Sequence, residues 1–111
     1  MNLLQTWIKA LRSDKYKQGR GLLRDKHDQY CCLGVLCDLI DPEAWTYFEG
    51  DVTWEDPISG THRTGTILPE TMQKVFPGLP APNAEALASA LIAQNDNGKS
   101  FEQIADYLEN R

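Results

Sequence analysis

Three cysteines and two histidines are the residues from which this chain could build a nucleophilic or metal-binding centre: Cys31, Cys32 and Cys37, with His27 and His62. Structural zinc asks for ligand pairs two to four residues apart plus a second such knuckle. No second knuckle follows Cys31-Cys32-x4-Cys37, and adjacent cysteines on a helix point about 100° apart. A cysteine hydrolase would place Cys31 at a helix N-terminus, where the macrodipole lowers a thiol pKa, with His27 or His62 as base. The neighbours Leu33, Val35, Leu36 and Leu39 act the other way, because apolar surroundings favour the neutral thiol, and neither histidine has an evident orienting partner. The cysteines therefore read as reduced packing residues, with a cysteine-dependent hydrolase kept as a second alternative. The acid pairs Glu49-Asp51 and Glu55-Asp56 occur among 16 acids and read as solvated surface.

The stronger chemical signal is a basic segment placed beside aromatic residues. Residues 1–26 hold seven Lys and Arg against two Asp, a local charge of +5 in a chain of net −5, so residues 27–111 carry −10. Such a distribution repels long polyanions yet can concentrate a small anion. Gly19-Arg20-Gly21 can turn backbone N–H groups toward an anion, Arg20 and Arg24 supply planar forks, and Lys15 and Lys17 add charge. Tyr16, Tyr30, Trp45 and Trp54 offer rings on which a base can stack. Lys15, Tyr16, Lys17, Arg20, Arg24, Tyr30, Trp45 and Trp54 are thus the candidate ligand-binding set, with no catalytic residue, metal or cofactor.

The elements that must position these residues follow from periodicity and caps. Asn2 is placed to cap a helix over 3–12 with Leu4, Trp7, Ile8 and Leu11 on one face. Ser13 to Gly21 reads as a basic loop, Leu22–Arg24 as a short extended piece, and 25–28 as a turn. Tyr30 to Ile40 is apolar on nearly every side, which predicts a central buried helix. Gly34 inside it points to another backbone packed closely against it. Between Ala44 and Ile67, aromatic and β-branched residues broken by Gly and Pro predict two or three short antiparallel strands forming one exposed, hairpin-like layer. A helix is expected from Pro69 to Phe76, another capped by Asn83 and ending near Asn95-Asp96-Asn97-Gly98, and a last one opened by the Ser100/Gln103 capping box with Phe101, Ile104, Ala105 and Leu108 inward. The expected architecture is α+β: five helices around a central buried helix, with a small antiparallel sheet or hairpin.

With 111 residues, 41% of them apolar and 24% charged, the chain suits one globular domain over 1–111, with no need of disulfides or metal for stability. The strongest apolar run, Cys31–Ile40, is half the length of a membrane span, and 1–12 alternates as an amphipathic helix rather than an export signal. No membrane partner and a cytoplasmic location are expected. The last two helices resemble the opening of a helix-turn-helix, but Lys99 and Arg111 are the only cations from Asn83 onward, against five acids, which excludes DNA as a partner.

The blocks Lys15-Tyr16-Lys17-Gln18-Gly19-Arg20-Gly21, Tyr30-Cys31-Cys32-Leu33-Gly34-Val35-Leu36-Cys37-Asp38, and Asn95-Asp96 with Gly98, Ser100-Phe101 and Ile104 to Glu109 resemble a family of small proteins of tailed bacteriophages and prophages. The resemblance spans most of the chain except about 43–66. It implies a phage accessory protein in the host cytoplasm, a class that commonly blocks host components, including antiviral defences. Joined to the basic and aromatic residues, it gives the expectation of non-catalytic sequestration of a small anionic, nucleotide-like host ligand such as a defence signal. The alternative is a protein–protein inhibitor that docks its acidic, aromatic middle segment on a host protein. A homo-oligomer is open in either case.

Overall fold

The computed structural model describes residues 2–111. Helix α1 (Leu3–Arg12) begins where Asn2 accepts a hydrogen bond from the Gln5 N–H at 2.9 Å. Its inward face carries Trp7, whose indole N–H donates to the Cys32 carbonyl at 2.9 Å, along with Ile8 and Leu11. The supposed basic loop contains a two-residue strand, β1 (Lys17–Gln18), paired in parallel with β2 (Gln29–Tyr30). Tyr30 is accordingly strand and not helix, and α2 spans Cys32–Ile40 with Cys31 at its N-cap. The cause is local: Tyr30 is held extended by its pairing with Gln18 and its bridge to Arg24, and the Cys31 N–H bonds the Leu23 carbonyl at 3.2 Å, so the helix starts two residues later than expected.

Every residue of α2 from Cys32 to Cys37 is buried, making it the centre of the core as expected. Gly34 lies against the backbone of Leu23; a Cβ there would come within 1.7 Å of the Leu23 oxygen. Strands β3 (Trp45–Phe48), β4 (Asp51–Glu55) and β5 (His62–Arg63) form an antiparallel sheet in that order. The β3–β4 hairpin closes on Glu49 (φ 51°) and Gly50 (φ 87°), the two left-handed positions of a type I′ turn. The layer is not wholly exposed, because Trp54 turns into the core and Thr53, on the opposite face, is buried against His62.

Helix α3 (Pro69–Gln73) is shorter than expected, with Val75 and Phe76 continuing as turns. Helix α4 spans Ala81–Asp96, and Asn83 does not cap it: the Pro80 backbone fills the N-cap and Asn83 falls in the first turn. Helix α5 (Phe101–Glu109) has the predicted capping box, Ser100 and Gln103 each bonding the other's backbone N–H, and packs along α1. Among the described residues five helices, a three-stranded antiparallel sheet and a parallel two-stranded pair make an α+β fold. None of the helices is long and apolar enough to cross a membrane.

Candidate functional site

Four of the eight candidate residues meet where β2, α2 and the hairpin converge. Tyr16 and Tyr30 are in edge contact with centroids 5.1 Å apart, and Tyr30 and Trp45 likewise at 6.0 Å. The row is held from beneath by Asp38, the one acid in α2. It accepts from the Tyr16 hydroxyl at 2.6 Å and from the Trp45 indole N–H at 3.0 Å. Burial, reinforced by that hydrogen bond and by the Asp38 charge, pushes the Tyr16 hydroxyl pKa up, and burial does the same at Tyr30. Both phenols keep their protons at neutral pH, and that of Tyr16 is donated to Asp38.

Arg24 lies over this row, its guanidinium carbon 5.3 Å from the Tyr30 centroid and 5.4 Å from that of Trp45. Its fork is already occupied: Nε and Nη2 both donate to one oxygen of Asp28, at 3.1 and 2.7 Å. Asp28 can reach back because it has φ 58°, a left-handed conformation that Asp tolerates better than most residues. Between this turn and the hairpin runs a cleft of about 210 Å³, lined by Arg24, Asp25, Lys26 and Asp28 on one side and by Trp45 to Tyr47 on the other. Two cations and two acids leave it without net charge.

The rest of the basic segment turns elsewhere. Lys15 is exposed beside Tyr16, its Nζ 5.7 Å from that ring, and Lys17 projects to solvent from β1. Arg20 reaches the α4–α5 turn, where a Cβ at Gly98 would sit 3.6 Å from its Nη2. The N–H groups expected to cradle an anion are used internally, Gly19 donating to the Tyr30 carbonyl at 2.8 Å and Gly21 to Asp96 at 3.0 Å. Trp54 is 0% exposed and its indole donates to the Asp41 carbonyl at 3.1 Å, so it has no face to offer a ligand. The eight residues do not form one anion pocket.

What the Gly-Arg-Gly segment does build is a polar joint around Asn95, which is wholly buried. Asn95 accepts from the Gln18 amide at 2.8 Å and the Cys32 N–H at 3.3 Å, and donates to the Gly19 carbonyl at 2.8 Å. Gln18 also donates to the Lys99 carbonyl at 2.8 Å and accepts from the Phe101 N–H at 3.1 Å. Sequence reasoning assigned Asn95 to a turn and passed over Gln18; a lone polar residue in helical phase with Leu87, Ala88 and Leu91 was the available signal. Asp38, alone in an apolar helix, was a similar one.

The thiols are buried and unpaired in disulfides. Burial pushes Cys31 up to about 11 and raises Cys32 and Cys37 as well, so thiolate is scarce at neutral pH. His62 is engaged with the Thr53 hydroxyl at 2.9 Å and stacked on Phe48 at 4.5 Å. No group of metal-ligating side chains occurs among the described residues. A larger depression of about 530 Å³ between α1, α5 and Phe76 contains Arg12, but that guanidinium is taken up by Glu102, Asp106 and Glu109.

The hairpin differs from all of these in leaving large apolar groups in water. Tyr47 is 70% exposed and Phe48 47%, and from Asp41 to His62 there are six acids and no Lys or Arg. No curated protein and no solved structure matches the chain. A family model matches residues 1–111 in full, and the chain belongs to that family, a domain of unknown function (DUF8296).

Proposed function

We propose that this chain is a non-catalytic binding protein that docks a basic surface of a partner protein through the β3–β4 hairpin. The observation that supports it is that exposed Tyr47 and Phe48 lie within a segment, residues 41–62, that holds six acids and no Lys or Arg. Aromatic rings bury large area at little entropic cost and are enriched at interface centres, while the surrounding carboxylates steer a basic partner. In the phage setting that the sequence blocks imply, the partner is a host factor whose surface the hairpin occupies. The test is affinity capture, from the producing cells, by the wild type, by Tyr47→Ala/Phe48→Ala and by Glu49→Lys/Asp51→Lys. The aromatic variant should lose the partner, and the charge-reversed one should lose it most at low salt and recover part of it as salt screens the repulsion; equal recovery by all three at low salt would contradict the proposal.

A second reading, a small anionic or nucleotide-like ligand, is favoured by Arg24 lying over Tyr30 and Trp45. It requires Asp28 to leave the guanidinium, which is feasible because the Asp28 side chain is 72% exposed. Asp28→Asn frees the fork, so calorimetric titration with mono-, di- and cyclic nucleotides should show at least about tenfold tighter binding than the wild type, an effect of about 1.4 kcal/mol. Absence of heat with both proteins removes the reading.

A further inference from the structure

We infer that the hairpin receives its partner by strand addition: an extended, basic peptide segment pairs with the free edge of β3. This rests on the docking role proposed above and specifies how it is carried out. The polarity of β3 follows from its register. Trp45 faces Trp54 and Tyr47 faces Val52, and the Glu55 N–H donates to the Ala44 carbonyl at 3.0 Å, so Ala44 and Glu55 are a hydrogen-bonded pair. In an antiparallel ladder such pairs alternate. Positions 44, 46 and 48 therefore spend their backbone groups on β4, while the N–H and C=O of Trp45 and Tyr47 point away from the sheet. Among the described residues no backbone hydrogen bond reaches those four groups from another segment; the Thr46 hydroxyl lies 3.5 Å from the Tyr47 carbonyl, at the limit of a bond.

Sheet edges are commonly blunted by Lys, Pro, a bulge or a covering loop. β3 (Trp-Thr-Tyr-Phe) has none of the first three within it. Nor does another backbone pair with it: residues 24–28 lie across the cleft and reach it only through the Arg24 side chain on Trp45. Strand spacing of about 4.8 Å would bring an added strand into that cleft. There the added strand meets residues 24–28, whose two cations and two acids balance, on one side and the acidic tip, Glu49 and Asp51, on the other. The uncompensated carboxylates are those of 41–62, six acids with no Lys or Arg among them, and they select Lys or Arg in the added strand.

The probe is an eight-residue peptide of alternating Lys and Val, mixed with the full chain and followed by amide hydrogen exchange. Two further versions carry N-methyl groups on alternate residues, one on each edge of the peptide. The expected result is binding with the Trp45 and Tyr47 amides slowed at least tenfold, retained by one N-methylated version and lost by the other. Binding without protection of those two amides, or equal binding of both N-methylated versions, overturns strand addition while leaving side-chain docking by the hairpin intact. No binding of the unmethylated peptide at millimolar concentration also overturns it, and the docking proposal then stands or falls on the Tyr47→Ala/Phe48→Ala capture. Protection of the same amides that grows with protein concentration in the absence of peptide would replace the peptide by a second copy of this chain.

Discussion

The joint around Asn95 and the β3–β4 hairpin are both rich in polar and aromatic groups, yet they treat those groups oppositely. At the joint, the Gln18 amide, the Asn95 amide and the Cys32 and Phe101 N–H groups bond one another, and nothing is left over for a ligand. At the hairpin, two rings stand in water and the β3 edge keeps its backbone groups unspent. Closed networks of buried polar groups hold a fold together, because each orphan would cost about 1–3 kcal/mol. Open apolar and hydrogen-bonding surface costs the isolated chain something and is repaired by a partner. The difference separates a motif that shapes the molecule from the surface proposed to bind.

The comparison breaks most visibly beneath the joint. Gly34→Ala would drive a methyl group into the Leu23 backbone, which no rotamer change can relieve, and should destabilise by more than about 4 kcal/mol, leaving an unfolded chain by circular dichroism. Next is Asn95→Ala, which orphans the Cys32 N–H and the Gly19 carbonyl together and should cost about 3 kcal/mol in urea unfolding. Loss of less than about 0.5 kcal/mol there would mean that water enters the joint and that the network is not closed.

A smaller effect comes from pH. Cys31 ionises near 11 in the folded chain against 9.0 for an ordinary thiol. Its folded pKa is raised, so its contribution is fully present below about pH 9 and is lost as pH rises toward 11, amounting to about 2–3 kcal/mol. Urea midpoints should be flat from pH 6 to about 8.5 and fall above it, with Cys31→Ala making the alkaline fall shallower but not removing it, since Cys32 and Cys37 are raised too. The smallest effect belongs to the hairpin: Tyr47→Ala/Phe48→Ala should change stability by no more than about 0.5 kcal/mol per residue, since neither ring is in the core. A cost of several kcal/mol would assign these rings to the fold.

Much of the fold could be read from residue spacing because the signals were local. Asn2 and the Ser100/Gln103 box mark α1 and α5, and Gly34 announces the close approach of Leu23. The candidate site was less legible because it depends on which of two equivalent residues the core reaches. Trp45 and Trp54 face each other across the same hairpin, but the core ends between them, so Trp54 is sealed and Trp45 lines the cleft. The cations of 15–24 are close in sequence, yet β1 and the Gly-Arg-Gly turn send Arg20 toward Gly98 and Arg24 toward Trp45. Asp28, four residues from Arg24, cancels the charge that suggested an anion site. Side-chain direction in irregular backbone is set by tertiary hydrogen bonds, which spacing does not encode.

The most direct measurement compares the two regions in one experiment: a photoreactive amino acid is placed at Phe48 in one protein and at Lys99, beside the joint, in another, and each is irradiated in the cells that produce it. Both positions are exposed, so access of the probe is matched. The predicted result is a discrete heavier species from position 48 whose added mass belongs to a protein with a basic surface, and none from position 99. The same adducts from both positions, or adducts from 99 alone, would contradict the assignment of the hairpin as the acting surface.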